Sequence, residues 1–143
     1  MNETIMQFNY PNNMVRDYKH WVVLLRPQQV TLGSLVLAAK GEYTSMGEMP
    51  SEVFSELAEI TKEIEATLKK LFSYDKINYL LLMMRDKYVH FHVFPRYAKS
   101  RNIFDYELVD TNWPMPPEIA KPSILPVKDV ERLATLIRDN WEG

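Results

Sequence analysis

The run from Tyr88 to Arg96, Tyr-Val-His-Phe-His-Val-Phe-Pro-Arg, constrains the fold of this chain most strongly. Its residues alternate in character with a period of two, which is typical of a strand whose side chains point to opposite faces of a sheet. Only three histidines occur in the chain, and this pattern predicts that His90 and His92, and Tyr88 before them, project from one surface. The other surface should carry Val89, Phe91 and Val93.

Length and composition predict one compact domain over residues 1–143. The chain is 46% hydrophobic and 12% aromatic, which is enough to build a core. A net charge of −2 gives no electrostatic reason to expect nucleic acid as a partner. The absence of cysteine excludes disulfides and cysteine-ligated metal sites, and it is compatible with a reducing cytoplasm.

No segment of the sequence indicates a membrane association. The first ten residues lack the basic start and the apolar core of a secretion signal. The longest apolar run, 79–84, is far too short to span a bilayer. We therefore expect a soluble, unprocessed, cytoplasmic protein.

Two helices and a proline-rich connector are predicted. Apolar residues recur every three or four positions over 51–72, with acidic residues early and Lys69-Lys70 at the end, as the helix dipole favours. Residues 111–126 hold several prolines and should form a stiff, extended connector. A C-terminal helix is predicted over 128–141.

The remaining patterns predict strands. A short strand is expected over 3–9, followed by strands at 20–25 and 35–37 that are separated by a short loop at 27–32. A buried strand at 77–84 should pair antiparallel with the histidine strand through the turn at 85–87. The predicted fold class is α+β, in which the long helix covers one face of an antiparallel sheet.

The histidine run resembles the signature of the histidine triad (HIT) family, in which three histidines alternate with apolar residues and a proline and a basic residue often follow. His20-Trp-Val-Val-Leu-Leu-Arg-Pro27 looks like the family's earlier strand, which often begins with an active-site histidine. The helix at 51–72 and Ile77-Asn78 match the elements before the motif, so the resemblance covers about residues 18–100. It implies a HIT-like sheet of about five strands, with one long helix and a C-terminal helix, in a homodimer.

The resemblance also implies a function, hydrolysis of nucleotide conjugates at the α-phosphorus through a nucleotidyl-histidine intermediate. The substrates would be small molecules, either dinucleoside polyphosphates or nucleoside phosphoramidates, with adenine the family's usual base. His90 aligns with the family's nucleophile. A histidine suits this role because its unperturbed pKa near 6.5 leaves a ring lone pair free at pH 7. No metal or cofactor is needed, since imidazole supplies the attacking atom.

The other site residues follow from the same alignment. His92 takes the third histidine position, and His20 and Asn78 match phosphate-contacting positions of the family. Arg85 lies where the family has further phosphate contacts, and it is a candidate charged donor by position alone. Arg96 closes the strand, and we expect it to be a solvated or ion-paired structural residue.

Tyr88 departs from the family pattern because it replaces the first histidine. It either substitutes for that histidine or is a buried, hydrogen-bonded aromatic without a role in the chemistry. A phenol cannot supply the proton chemistry of imidazole at pH 7, so activity could be reduced. Two alternatives therefore stay open: a nucleotide-binding module without turnover, and a metal site formed by His20, His90 and His92.

Overall fold

The computed structural model describes all 143 residues. It has a five-stranded, fully antiparallel sheet in the order β1-β2-β4-β6-β5. These strands are β1 (Met14–Asp17), β2 (Trp21–Leu25), β4 (Leu35–Ala39), β5 (Lys76–Leu80) and β6 (His90–Arg96). Three α-helices accompany the sheet: α1 (Glu3–Gln7), α2 (Ser51–Phe72) and α3 (Val127–Asp139). The α+β class and the five-stranded antiparallel sheet predicted from the sequence are confirmed.

Smaller elements complete the chain. A 3-10 turn spans Met46–Glu48. Strand β3 (Gln28–Gln29) pairs with β9 (Ser123–Ile124), and β7 (Arg101–Ile103) pairs with β8 (Tyr106–Leu108). The predicted loop at 27–32 and the predicted connector at 111–126 therefore each contribute a short strand to the β3–β9 pair. None of the three α-helices combines the length and the apolar character that are needed to cross a membrane.

The two faces of the sheet have different neighbours. We call the face that carries His90 and His92 the histidine face and the opposite one the core face. On the core face, Val89 and Val93 belong to the main hydrophobic cluster, together with apolar residues of α2 and α3. The alternation predicted for the histidine strand is therefore confirmed, because a strand exposes consecutive side chains to opposite faces.

Helix α2 begins and ends where the sequence predicts. In its apolar stripe, Ile60, Ile64 and Leu68 are fully buried in the main cluster. The indole Nε1 of Trp21 donates a 2.8 Å hydrogen bond to the Val53 carbonyl, which fixes the start of the helix against β2. The helix ends at Ser73, a left-handed residue with φ of 51°, whose N–H bonds to the carbonyl of Lys69.

The N-terminal segment, residues 1–13, covers the histidine face, and the predicted strand at 3–9 is wrong. A short helix forms instead because the Asn2 side chain caps it, accepting a 3.0 Å hydrogen bond from the Ile5 N–H. The amide of Asn2 also donates to the carbonyl of Ala39 at 2.9 Å. Ile5 is fully buried against four apolar residues of β2 and β4, namely Val22, Leu24, Val36 and Ala38.

Strands β5 and β6 differ from the prediction at their ends. Strand β5 ends at Leu80 instead of residue 84, and Met83 has a positive φ of 37°, which is incompatible with an extended strand. Strand β6 begins at His90, so Tyr88 precedes it. The antiparallel pairing of the two strands is confirmed, with Asn78 opposite Phe94.

Arg96 forms a buried ion pair, as the sequence analysis allowed. Its Nε donates to Asp110 at 2.6 Å and its Nη2 at 3.0 Å, and the two side chains are 4% and 2% exposed. The guanidinium also donates to the Asn78 side-chain oxygen at 2.8 Å and to the Met115 carbonyl at 2.6 Å. Arg96 therefore ties the segment after β8 to the end of the sheet.

Candidate functional site

His90 and His92 lie side by side on the histidine face. His90 pairs with Ala38 and His92 with Val36 across the β4–β6 ladder. Their ring centroids are 5.1 Å apart and their planes are nearly perpendicular, at 82°. The two residues are 2% and 8% exposed, so the imidazoles are largely shielded from water.

The backbone of Tyr88 orients the His90 ring. Nδ1 of His90 lies 2.7 Å from the Tyr88 carbonyl oxygen. Because a carbonyl oxygen can only accept, Nδ1 carries the proton in this bond, and in the neutral ring Nε2 then holds a free lone pair. This is the arrangement that a nucleophilic histidine requires.

His92 is held neutral. Burial, together with the nearby His90 and the positive charge of Arg26, lowers its pKa to about 4. Its Nδ1 is buried without a hydrogen-bond partner. The ring stacks on Phe94, with centroids 6.0 Å apart and planes within 7°.

Phe8 of the N-terminal segment packs against both imidazoles. Its ring centroid is 5.5 Å from that of His90 and 6.0 Å from that of His92. None of the four principal cavities of the structure includes either histidine in its lining. The Phe8 side chain is itself half-buried. Phe8 therefore contributes to the shielding of both imidazoles in this conformation.

The Tyr88 side chain makes its hydrogen bond to Glu42 and not to either imidazole. Its hydroxyl donates a 2.8 Å hydrogen bond to Glu42, and this bond raises the pKa of Tyr88, so that the phenol stays protonated at neutral pH. The side chain is 8% exposed, and the ammonium of Lys87 lies 5.2 Å above the ring. Of the two interpretations of Tyr88 given above, these contacts agree with a buried, hydrogen-bonded aromatic residue. The backbone carbonyl of Tyr88, in contrast, orients His90.

His20 lies apart from the other two histidines. It precedes β2, is half-buried, and its backbone N–H donates to Glu56 of α2 at 2.8 Å. Strand β4 separates β2 from β6, so the backbones of β2 and β6 are about 10 Å apart at normal strand spacing. No group of three or more His, Cys, Asp or Glu side chains is arranged to hold a metal ion. The structure therefore does not assemble the three-histidine metal site.

The two remaining candidates, Asn78 and Arg85, are also separate from the imidazole pair. Asn78 pairs with Phe94 and accepts a hydrogen bond from Arg96, which places it in the lining of a cavity of about 810 Å³ beside Trp113. Arg85 is exposed in the loop between β5 and β6. Neither residue touches the two histidines through a hydrogen bond.

Sequence reasoning missed Phe8 and Arg26. Arg26 directly follows β2, and its guanidinium carbon lies 5.9 Å above the ring of Phe94. The sequence contained a signal for Arg26, because Arg26 is two residues after Leu24 and alternation along a strand places both on the same face. No local signal identifies Phe8, because its contact with β6 depends on how the N-terminal segment crosses the sheet.

Comparison with known structures identifies the fold of this chain. No protein-family model matches the sequence, and no curated protein matches it. A histidine triad protein from Sinorhizobium meliloti is similar over 98% of this chain and 95% of its own, with a TM-score of 0.73 at 20% identity. Another from Bradyrhizobium japonicum covers 98% and 96%, with a TM-score of 0.72 at 14% identity.

A structure with an enzymatic name is also among the matches. The diadenosine triphosphate hydrolase of Plasmodium falciparum, in complex with cyclomarin A, is similar over 90% of this chain and 76% of its own. Its TM-score is 0.67 at 12% identity. The chain therefore has the histidine triad fold, in agreement with the resemblance noted in the sequence.

Proposed function

We propose that this protein is a nucleotide hydrolase of the histidine triad type, with His90 as the nucleophile. The observation that carries the proposal is the 2.7 Å contact of His90 Nδ1 with the Tyr88 carbonyl, which directs the lone pair to Nε2. The similarity of the fold to a diadenosine triphosphate hydrolase supports the same class of activity. The candidate substrates are dinucleoside polyphosphates and nucleoside phosphoramidates.

The reaction would proceed in two displacements at the α-phosphorus. The Nε2 lone pair of His90 forms a P–N bond while the bond from phosphorus to the leaving group breaks, and the leaving group departs with the electron pair and takes up a proton from solvent. Water then attacks phosphorus and loses a proton to solvent, while the P–N bond breaks and its electron pair returns to Nε2. Neutral His92 would donate one N–H to a phosphoryl oxygen, where negative charge accumulates.

Phe8 would control access to this site. Because the Phe8 ring packs on both imidazoles, a nucleotide would reach His90 once Phe8 swings away or the N-terminal segment lifts. The same observation favours a second candidate, a nucleotide-binding module without turnover, in which the covered histidines never form a covalent bond. The homodimer stays a prediction, with β5 as the sheet edge available for pairing.

A covalent-trapping experiment distinguishes the two candidates. The protein is mixed with diadenosine triphosphate or adenosine 5′-phosphoramidate, quenched in base, and measured by intact mass for an added nucleotidyl group. We expect the adduct in the wild type and in Tyr88→Phe, and its loss in His90→Ala with a fall in turnover of about 1000-fold or more. His20→Ala makes the same chemical change two strands away and should keep the adduct. Undiminished turnover in His90→Ala would reject the proposal, and nucleotide binding without any turnover would favour the binding module.

A further inference from the structure

A second cavity opens at the edge of the histidine face. It has a volume of about 310 Å³ and is lined by the N-terminal segment and by the turn after β2, through Gln7, Phe8, Arg26, Pro27 and Gln28. Phe8 is shared between this cavity and the imidazole pair, because its ring also packs on His90 and His92. The cavity is therefore next to the proposed reaction centre, separated from it by one aromatic ring.

Arg26 brings an uncompensated positive charge to this cavity. The side chain is half-buried and takes part in none of the ion pairs of the structure. One of its nitrogens, Nη1, donates to the Gln28 carbonyl at 2.8 Å, whereas Nε is buried without a partner. A partly desolvated guanidinium with a free donor favours an anionic partner, and no carboxylate lines the cavity.

Arg26 also lies within reach of the histidines. Its guanidinium carbon is 5.9 Å from the centre of the Phe94 ring, and that ring stacks on His92 at 6.0 Å. The two distances place the guanidinium no more than about 12 Å from the His92 ring. A planar guanidinium presents several N–H donors in a fork that matches phosphoryl oxygens. The exposed amides of Gln7 and Gln28 add neutral donors around the same space.

We propose that Arg26 binds an anionic group of the substrate that lies beyond the phosphate attacked by His90. Arg26 is then a specificity-determining residue, and the preferred substrate class is a nucleotide conjugate with more than one phosphate. Conjugates with a single phosphate leave the Arg26 charge unmatched and react less efficiently. This inference rests on the proposed function, because it assumes that His90 is the reacting group.

Two substrates and three variants test this assignment. We compare kcat/KM for diadenosine triphosphate and for adenosine 5′-phosphoramidate in the wild type, Arg26→Gln, Arg26→Lys and the control Arg16→Gln. Arg16 is an exposed arginine on β1 without an ion pair. We expect Arg26→Gln to lower kcat/KM for the triphosphate by about 10- to 100-fold and for the phosphoramidate by less than about threefold. Arg26→Lys should recover part of the loss, and Arg16→Gln should match the wild type.

A binding measurement keeps the result interpretable if the variants fold poorly. Inorganic tripolyphosphate is titrated into the wild-type protein, and the Arg26 Nε–H resonance, assigned by its absence in Arg26→Lys, should shift with the added anion. Equal losses for both substrates in Arg26→Gln, or an unchanged resonance, would overturn the inference while His90-dependent turnover stands. Tripolyphosphate binding that needs Arg26, in a protein that hydrolyses neither substrate, would support the anion site and reject the proposed hydrolase.

Discussion

Truncation of Phe8 to alanine should uncover the two histidines at a moderate loss of stability. Replacement of a fully buried phenylalanine by alanine costs about 3–5 kcal/mol. Phe8 is half-buried, so we expect Phe8→Ala to lower the free energy of unfolding by roughly 2 kcal/mol. The helix itself should persist, since Asn2 and Ile5 anchor it independently of Phe8.

Chemical modification of imidazole measures the exposure directly. The protein is treated briefly with diethyl pyrocarbonate, and the modified fraction of each histidine is read by peptide mass spectrometry. In the wild type, half-exposed His20 should react faster than buried His90 and His92. In Phe8→Ala the modification of His90 and His92 should accelerate by about tenfold or more, because access then no longer requires local opening of the segment.

Two controls make the result decisive. His20 serves as an internal standard in every sample, because the Phe8 ring packs on His90 and His92 and not on His20, so its rate should not change. Phe8→Leu keeps an apolar side chain over the imidazoles and should react like the wild type. Wild-type His90 that is modified as fast as His20, or rates in Phe8→Ala that remain unchanged despite the loss of stability, would refute the idea that Phe8 covers the site.

Two further predictions concern stability. Asp110→Asn leaves the buried Arg96 guanidinium without its counter-charge and should lower the free energy of unfolding in urea by about 3–5 kcal/mol. Exposed Asp105→Asn should change it by less than about 0.5 kcal/mol, and similar values for the two variants would contradict the buried pair. For His92, the pKa of about 4 in the folded state lies below the value of about 6.5 expected in the unfolded chain, so the unfolded chain binds the proton first as the pH falls. Between pH 6.5 and pH 4, the free energy of unfolding of the wild type should fall by about 3 kcal/mol more than that of His92→Gln. Identical pH profiles for the wild type and His92→Gln would contradict this prediction.

Local periodicity predicted α2 and four of the five strands of the sheet, but it missed β1. The bounds of α2 and the alternation of β6 follow from spacings of 3.6 and 2 residues, which depend only on neighbouring residues. The N-terminal strand prediction was wrong because the pattern over 3–9 is weak, and the capping side chain of Asn2 decides the local structure. The end of β5 was also misplaced, since the positive φ of Met83 has no clear local signal.

The candidate site was only partly predictable, because local spacing places residues along one strand but does not show which strands become neighbours. The pairing of His90 with His92 follows from the two-residue repeat of one strand and from nothing else in the chain. The separation of His20 from that pair depends on strand order, because β4 inserts between β2 and β6. Likewise, the hydroxyl of Tyr88 bonds to Glu42, a residue 46 positions away in the sequence.

The sequence by itself determined that two imidazoles share one face of a strand and that a long amphipathic helix covers one face of the sheet. Only the tertiary structure decided that Phe8 covers those imidazoles and that Arg26 lies near them without a counter-charge. The physical reason is that the direction of a side chain within a strand is set by its own backbone, whereas its neighbours across the sheet are set by the packing of segments that are distant in the chain.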